Sequence, residues 1–201
     1  MDAGEGYVRH EETETLSCGW NCSYENVIST TEHKLSDYNG VISVDGLTKV
    51  KGTVKGQVTL HSSEKIEIMG DILYDSNPLD VGSTSTDMIG MVSEGDVVVD
   101  RYAHEDNGSS DLTIQASIMA LGTSFEVENY SSGSPRGTLN LVGGIVQKNR
   151  GAVGTFNSYG VASGYTKNYV YDERLMHTVP PFYPRESVFS IVYWKDLPIE
   201  K

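Results

Sequence analysis

Residues 139–145 read Leu139-Asn140-Leu141-Val142-Gly143-Gly144-Ile145, and this stretch is a clear copy of the pattern that decides the fold. Apolar residues alternate with other residues on both sides of a small one. Related stretches at 42–46, 66–72, 91–97 and 112–118 place the small residue at positions 46, 70, 95 and 116. Alternation is the period of a β-strand, and a strand-length unit that recurs about every 25 residues is typical of a solenoid.

The sequence therefore predicts an all-β chain, wound as a right-handed parallel β-helix, which is a single-stranded β-solenoid. No segment carries a sustained helical period, so few or no helices are expected. A β-sandwich is the alternative, because short strands also build sandwiches. Six or seven coils at the spacing of paired strands would form a rod about 30 Å long. Polar insertions at 75–87, 104–111 and 131–137 are expected to be loops.

The chain divides at the turn Asn39-Gly40, where the periodic body begins. Residues 1–38 are polar and acidic and predict an N-terminal lead-in or cap. Residues 39–201 predict the solenoid with a C-terminal cap, in which the apolar segment 187–194 forms a strand beside the last coil. Cys18 and Cys22 can close a small disulfide loop, with half a zinc site or free thiols as alternatives. A disulfide favours an oxidising compartment.

Composition narrows the range of partners. The formal net charge is −13, which disfavours nucleic acid and anionic membranes because like charges repel. No run of apolar residues is long enough to span a membrane, and no secretion signal is visible. Basic proteins and cations remain compatible with such a surface, although an acidic surface also serves solubility.

Two aspartates follow the small residue in separate copies of the pattern. If the coils stack in register, Asp71 and Asp96 lie outside, about 4.8 Å apart. Carboxylates this close would share a proton or recruit a cation, and such a pair can also cleave a polysaccharide. The alternative is that each aspartate bonds its own backbone in a turn.

Other chemical signals are weaker. The loop 106–111 offers oxygen ligands suited to calcium but lacks the spacing of an EF-hand, so a plain polar loop is the alternative. The histidines are scattered, and no nucleophile elbow, phosphate loop or dinucleotide motif occurs. We therefore predict no catalytic residue, no metal ligand set and no cofactor, with calcium as the one candidate ion.

Tyrosines are frequent near the C-terminus. Tyr165, Tyr169 and Tyr171 are expected to cluster near Arg174, and Tyr183 follows Phe182. Aromatic rings can stack on sugars, or they can pack the end of a solenoid and bond its open edge. The prolines at 180, 181 and 184 favour packing at the end, because proline stops further coiling.

Much of the chain from residue 39 to 194 carries motifs of a known group of proteins. They lie at 70–72, 118–125, 127–130, 135–139, 143–147, 150–151, 153–156, 168–175 and 180–184. These stretches resemble a poorly characterised family of bacterial exported proteins, often with a pilin-like N-terminus linked to type IV pilus assembly. The resemblance implies a β-helical, surface-associated protein with no assigned activity. The repeats also resemble those of bactofilins, which are β-helical filament formers.

These observations predict a non-enzymatic structural or adhesive module of a bacterial cell surface or pilus, located outside the cell. Its expected partners are other envelope or pilus proteins, or further copies of itself. One alternative is a carbohydrate-binding or polysaccharide-cleaving β-helix that contacts glycans through the aspartate pair or the tyrosines. Another is a cytoplasmic filament former.

Overall fold

A computed structural model of the chain describes residues 7–19 and 22–185. Its described helical segments are short 3₁₀ turns at Leu35–Asp37, Ala103–Asn107 and Glu173–Met176. No helix in this part of the chain is long and apolar enough to cross a membrane. The strands are β1 (Tyr7–Gly19), β2 (Cys22–Lys34), β3 (Val41–Val44), β4 (Thr48–Val54), β5 (Gln57–Ser62), β6 (Ile66–Tyr74), β7 (Met88–Ser93), β8 (Val97–Val99), β9 (Leu112–Ala120), β10 (Phe125–Val127), β11 (Pro135–Gln147), β12 (Gly154–Asn157) and β13 (Gly160–Tyr171).

Parallel pairing between successive coils builds the main sheet. On face A, β3, β5, β7, the second half of β9 and the end of β11 stack in this order. Face B stacks the first halves of β4 and β6 with β8 and β10. Face C stacks the second halves of β4 and β6 with β9, β11 and β13. One column of face A contains Ile42, Leu60, Met91, Ile118 and Ile145.

The chain winds through faces A, B and C about four times, so it is a parallel β-solenoid as predicted. The β-sandwich alternative is wrong, because antiparallel pairing among the described strands is confined to β1 with β2 and β12 with β13. The expected six or seven coils are too many. Residues 7–34 and 172–185 lie outside the coils, and the insertions take up further length.

The interior of the coils is apolar and closed to solvent. Burial alternates strictly along β6, so Ile66, Ile68 and Ile72 point inward. On face C, Ile72 stacks on Ile114, which stacks on Leu141, and all three are buried. Burying a side chain of this size contributes about 1.5–3 kcal/mol. Stacked apolar side chains of this kind therefore stabilise each coil against the next.

Small residues lie at the corners where the chain passes from one face to the next, and different small residues lie at different corners. Gly143 stacks on Ala116 where face C passes to face A, and contact with the Ala116 carbonyl leaves no room for a side chain. Gly122 lies against Gly95 where face A passes to face B. The small residues of the sequence pattern consequently do not occupy one common position in the coil.

The predicted insertions lie where the strands are interrupted. Residues 75–87 leave the corner between faces C and A, whereas the other two leave the corner between faces B and C. The second insertion contains the 3₁₀ turn Ala103–Asn107, and the third ends earlier than expected because β11 begins at Pro135. Loops therefore project from two corners of the solenoid.

The C-terminal residues 172–185 run back along face A, and we call this segment the strap. The Thr59 hydroxyl donates a hydrogen bond to the Pro181 carbonyl at 2.5 Å. Tyr183 is buried against Val92 and Met119. The prolines of the strap thus cover a side of the solenoid, so the expectation of packing at the end is wrong for them and for Tyr183, whereas Tyr169 does lie in the last coil.

Residues 7–34 form a long antiparallel ribbon of β1 and β2, which we call the arm. The sequence predicts a lead-in or cap at this place and gives no sign of strands. Glu25 of the arm forms an ion pair with Lys49 of the first coil, and Leu35 packs against the core just after the arm. The side chains of Cys18 and Cys22 and the segment 187–194 lie outside the described part of the structure, so the disulfide and the terminal strand stay predictions.

Candidate functional site

The two aspartates predicted to stack lie at different corners of the solenoid. β6 pairs with β8 through Ile66 and Val97, so Asp96 stands just before face B. Asp71 stands just before face C, because the next residue of β6 pairs with Ile114. The expected carboxylate pair is wrong, since the small residues that precede the two aspartates belong to different corners.

Each carboxylate instead bonds the backbone of the next coil. Asp71 Oδ1 accepts a hydrogen bond from the Thr113 N–H at 2.8 Å. Asp96 Oδ1 accepts one from the Ser124 N–H at 2.9 Å. In both cases the donor is the hydroxyl residue stacked on the aspartate: Thr113 is the second residue of β9, and Ser124 immediately precedes β10. The alternative, in which each aspartate bonds its own turn, therefore describes neither contact.

Asp111 makes the same backbone contact, and Asp45 makes a related contact with a side-chain hydroxyl of the next coil. Asp111 Oδ1 accepts from the Thr138 N–H at 2.7 Å, and Asp45 Oδ1 accepts from the Ser63 hydroxyl at 2.8 Å. We call Asp45, Asp71, Asp96 and Asp111 the aspartate clamps. A hydrogen bond to a charged acceptor contributes about 1.5–3 kcal/mol. These carboxylates fasten one coil to the next.

Asp111 belongs to the loop for which calcium is predicted. The side chains of Asp106 and Asn107 lie outside the described part of the structure. Among the described residues, no group of three or more histidine, cysteine or acidic side chains could hold a metal ion. Calcium binding by this loop stays a prediction.

Tyr165 lies apart from the other tyrosines, at the corner between faces B and C. Its ring is fully buried, and its hydroxyl is 3.1 Å from His104 Nδ1. Burial raises the pKa of Tyr165 to about 12, and the neighbouring Arg136 opposes that rise. The cation over the Tyr165 ring is Arg136, at 5.7 Å from the centre, whereas Arg174 lies over the ring of Tyr74, at 5.2 Å. The expected place of Tyr165 beside Arg174 is therefore wrong.

An open cavity of about 640 Å³ lies along the loop 75–87. Arg174 holds this loop by donating to the carbonyls of Ser85 and Asp87, at 2.9 and 3.0 Å. The Asp87 carboxylate accepts the Gly56 N–H at 2.7 Å. The Asp87 carboxylate is therefore occupied by a hydrogen bond within the protein. The cavity is the open space beside a loop that Arg174 and Asp87 hold in place.

Face C changes character in its last coil. Leu112 and Leu139 form an interior column whose next member is Lys167. The neighbouring interior column continues from Leu141 to Tyr169. No described coil covers this end, so its interior columns are partly open to solvent. Lys167 and Tyr169, which have both apolar and polar parts, therefore occupy positions that are aliphatic in the earlier coils.

These side chains form a surface of unusual composition for an acidic chain. We call Arg150, Lys167, Tyr169 and Tyr171 the terminal platform. Partial burial, and then the nearby Arg150, lower the pKa of Lys167, and no acidic group of the described residues contributes. Burial raises the pKa of Tyr169 to about 12, against the effect of Arg150. Tyr169 and Tyr171 remain 40% and 54% exposed, so the platform offers cations beside aromatic rings.

The platform includes an open strand edge. β11 pairs with one side of β13, and β12 pairs with the other side only at residues 160–164. Residues 166–171 therefore have no strand partner on that side within the described part of the chain. Backbone N–H and C=O groups on such an edge can accept an added strand.

The fold places the chain in the class of parallel β-solenoid proteins. It matches no known family model, no curated protein and no solved structure. Sequence reasoning missed the terminal platform, because its signal is a lysine in an interior column and the columns are visible only once the register is known. The aspartate clamps have a simpler signal: an aspartate beside a corner of one coil and a serine or threonine at the matching position of the next coil.

Proposed function

We propose that this chain is a non-enzymatic structural or adhesive module of a bacterial cell-surface or pilus-associated assembly, located outside the cell. The observation that carries the proposal is a continuous solenoid whose acidic corner residues are used to fasten coils together. Such a module acts through shape, as a stiff body that displays loops and an end surface to its partners. The resemblance of residues 39–194 to exported β-helical proteins supports the surface location.

The test is to locate the protein in its cells and to identify what it binds. We expect a tagged chain in the envelope or the medium, cross-linked to envelope or pilus proteins or to itself. Arg150→Glu alters the terminal platform, and Arg101→Glu makes the same charge change on a loop. Loss of partners with the first variant alone supports the proposal. A wholly cytosolic protein without partners contradicts it.

A carbohydrate-binding function is the second candidate, and the terminal platform favours it. Tyr169 and Tyr171 are exposed rings, and Arg150 could bind the carboxylates of an acidic glycan. A glycan array and a reducing-sugar assay, each with and without calcium, test this candidate. Binding that is lost in Tyr169→Ala would support it, and silence in both assays would remove it.

A further inference from the structure

We propose that the terminal platform binds the arm of a second copy of this chain, by adding β1 to the open edge of β13. The inference rests on the proposed function, because it names the partner that the structural module would add. The result would be a head-to-tail chain of copies. Each contact would join the last coil of one copy to the ribbon that precedes the first coil of the next.

The platform selects an acidic partner and disfavours a second solenoid stacked coil on coil. Lys167 occupies an interior column, so an identical coil laid over it would bury the ammonium group beneath apolar residues. Burying a charge without a partner is costly. Arg150 adds a second positive charge close to Lys167. A strand that brings carboxylates to this edge would satisfy both cations.

The arm is a strand ribbon with suitable charge. Glu11, Glu12 and Glu14 are exposed on β1. Glu12 accepts a hydrogen bond from the Ser29 hydroxyl at 3.1 Å, and Glu14 accepts one from the Asn26 amide at 3.3 Å. Both donors are neutral, so these contacts leave the negative charges uncompensated. Charge complementarity of this kind guides partners together and fixes their register.

The arm also gains from a third strand. A ribbon of two strands is only marginally stable in water, and an added strand or a packed face stabilises it. Val27 and Ile28 of β2 are 49% and 55% exposed. The exposed rings of Tyr169 and Tyr171 provide apolar surface at the edge to which the arm would add.

The arm of a given copy lies at the opposite end from its own platform. Glu25 forms its ion pair with Lys49 in the first coil, whereas Lys167 and Tyr169 belong to the last. Four coil spacings separate these ends by about 19 Å. The contact therefore joins two copies, and a head-to-tail contact of this kind leaves one arm and one platform free on every oligomer that does not close into a ring.

Sedimentation velocity on the purified full-length chain tests the inference. At low salt we expect oligomers that grow with protein concentration and dissociate at about 1 M salt, because screening weakens exposed charge pairs. Arg150→Glu should raise the dissociation constant by about tenfold or more, while Arg101→Glu, with the same charge change, should have little effect. Glu12→Lys combined with Glu14→Lys should act like Arg150→Glu.

Mixing provides the decisive measurement. The Arg150→Glu chain and the Glu12→Lys/Glu14→Lys chain should associate more strongly together than either does alone, because opposite charges face each other again. A full-length chain that stays monomeric at low salt, or association unaffected by Arg150→Glu, would overturn the inference. The inference would also be overturned if the full-length chain stayed monomeric while a version that ends at Arg185 associated. Residues 186–201 would then cover the open edge of β13. None of these outcomes would decide where the protein is located, which the test in cells addresses separately.

Discussion

The carboxylate of Asp96 accepts a hydrogen bond from the backbone N–H of Ser124, one coil further along the stack, at 2.9 Å. Asp71 and Asp111 make the same kind of contact with their own neighbours in the next coil. Part of the acidity of this chain is therefore structural. Carboxylates at the corners supply acceptors to N–H groups that a turning backbone would otherwise leave without a partner.

Replacing Asp96 with alanine should destabilise the fold. The change removes the acceptor of the Ser124 N–H, so we expect a loss of about 1.5–3 kcal/mol in the free energy of unfolding. Urea unfolding at neutral pH measures it. Asp80→Ala is the matched control, because Asp80 is exposed and its carboxylate bonds the nearby Asn77 side chain. Equal losses in the two variants would show that the clamp contributes nothing special.

Tyr165→Phe should make stability less sensitive to alkaline pH. The pKa of Tyr165 is about 12 in the folded chain and about 10 when unfolded. Between these values the folded state keeps a proton that the unfolded state releases, so stability falls as pH rises. The slope contributed by one such tyrosine is at most about 1.4 kcal/mol per pH unit.

Urea unfolding between pH 8 and 12 measures this slope, with Tyr159→Phe as control because Tyr159 is 98% exposed. At neutral pH, Tyr165→Phe should also cost about 1 kcal/mol, since the hydrogen bond to His104 is lost. An unchanged slope would contradict the assignment of the raised pKa.

Gly90→Ala should loosen the strap. A methyl group at Gly90 would collide with the ring of Tyr183, so the strap has to shift outward. Gly144→Ala is the control, because its methyl group would lie in ordinary contact with Leu175 of the same segment, at 3.5 Å. We expect faster hydrogen exchange at residues 178–184 in the first variant only, and equal exchange in both would refute the close approach.

Lys167→Leu should stabilise the monomer. Leucine continues the column of Leu112 and Leu139 and removes a partly buried charge, for a gain of about 0.5–1 kcal/mol. The lowered pKa of Lys167 means that folding disfavours its charged form. The gain should therefore shrink as pH rises from the folded pKa towards the unfolded value near 10.5, above which lysine is neutral in both states.

Urea unfolding at low protein concentration, at pH 7 and pH 10, measures the difference between the two chains. Lys148→Leu serves as control, because Lys148 is exposed. A gain that stays constant with pH would show that packing alone is responsible.

The class of fold could be predicted from the sequence because alternation of apolar residues survives in every coil. The register of the coils could not be predicted. Each of the three faces ends near a small or polar residue, so a small residue in the sequence does not show which corner it occupies. Gly95 and Gly143 look equivalent in the sequence, yet they turn the chain at different corners. The expected carboxylate pair assumed that Gly70 and Gly95 are equivalent, whereas Gly70 turns the chain from face B to face C and Gly95 turns it from face A to face B.

The arm and the strap illustrate a second limit. The arm carries glutamates and threonines in place of an alternating apolar pattern, so its strands are formed by backbone pairing that composition does not reveal. The strap has no strand of its own in the described residues, and its place on face A depends on contacts such as Thr59 with Pro181, which are distant in sequence. Long-range contacts of this kind leave little local signal.

The direction of the aspartate clamps has a consequence for how the molecule is made. Asp71, Asp96 and Asp111 each hold a residue that comes later in the chain. In a polypeptide that emerges with its N-terminus first, each completed coil already carries the aspartate carboxylate that accepts the hydrogen bond. The next coil then supplies the backbone N–H that donates it. The solenoid can grow in the order of its own synthesis, without waiting for the C-terminus.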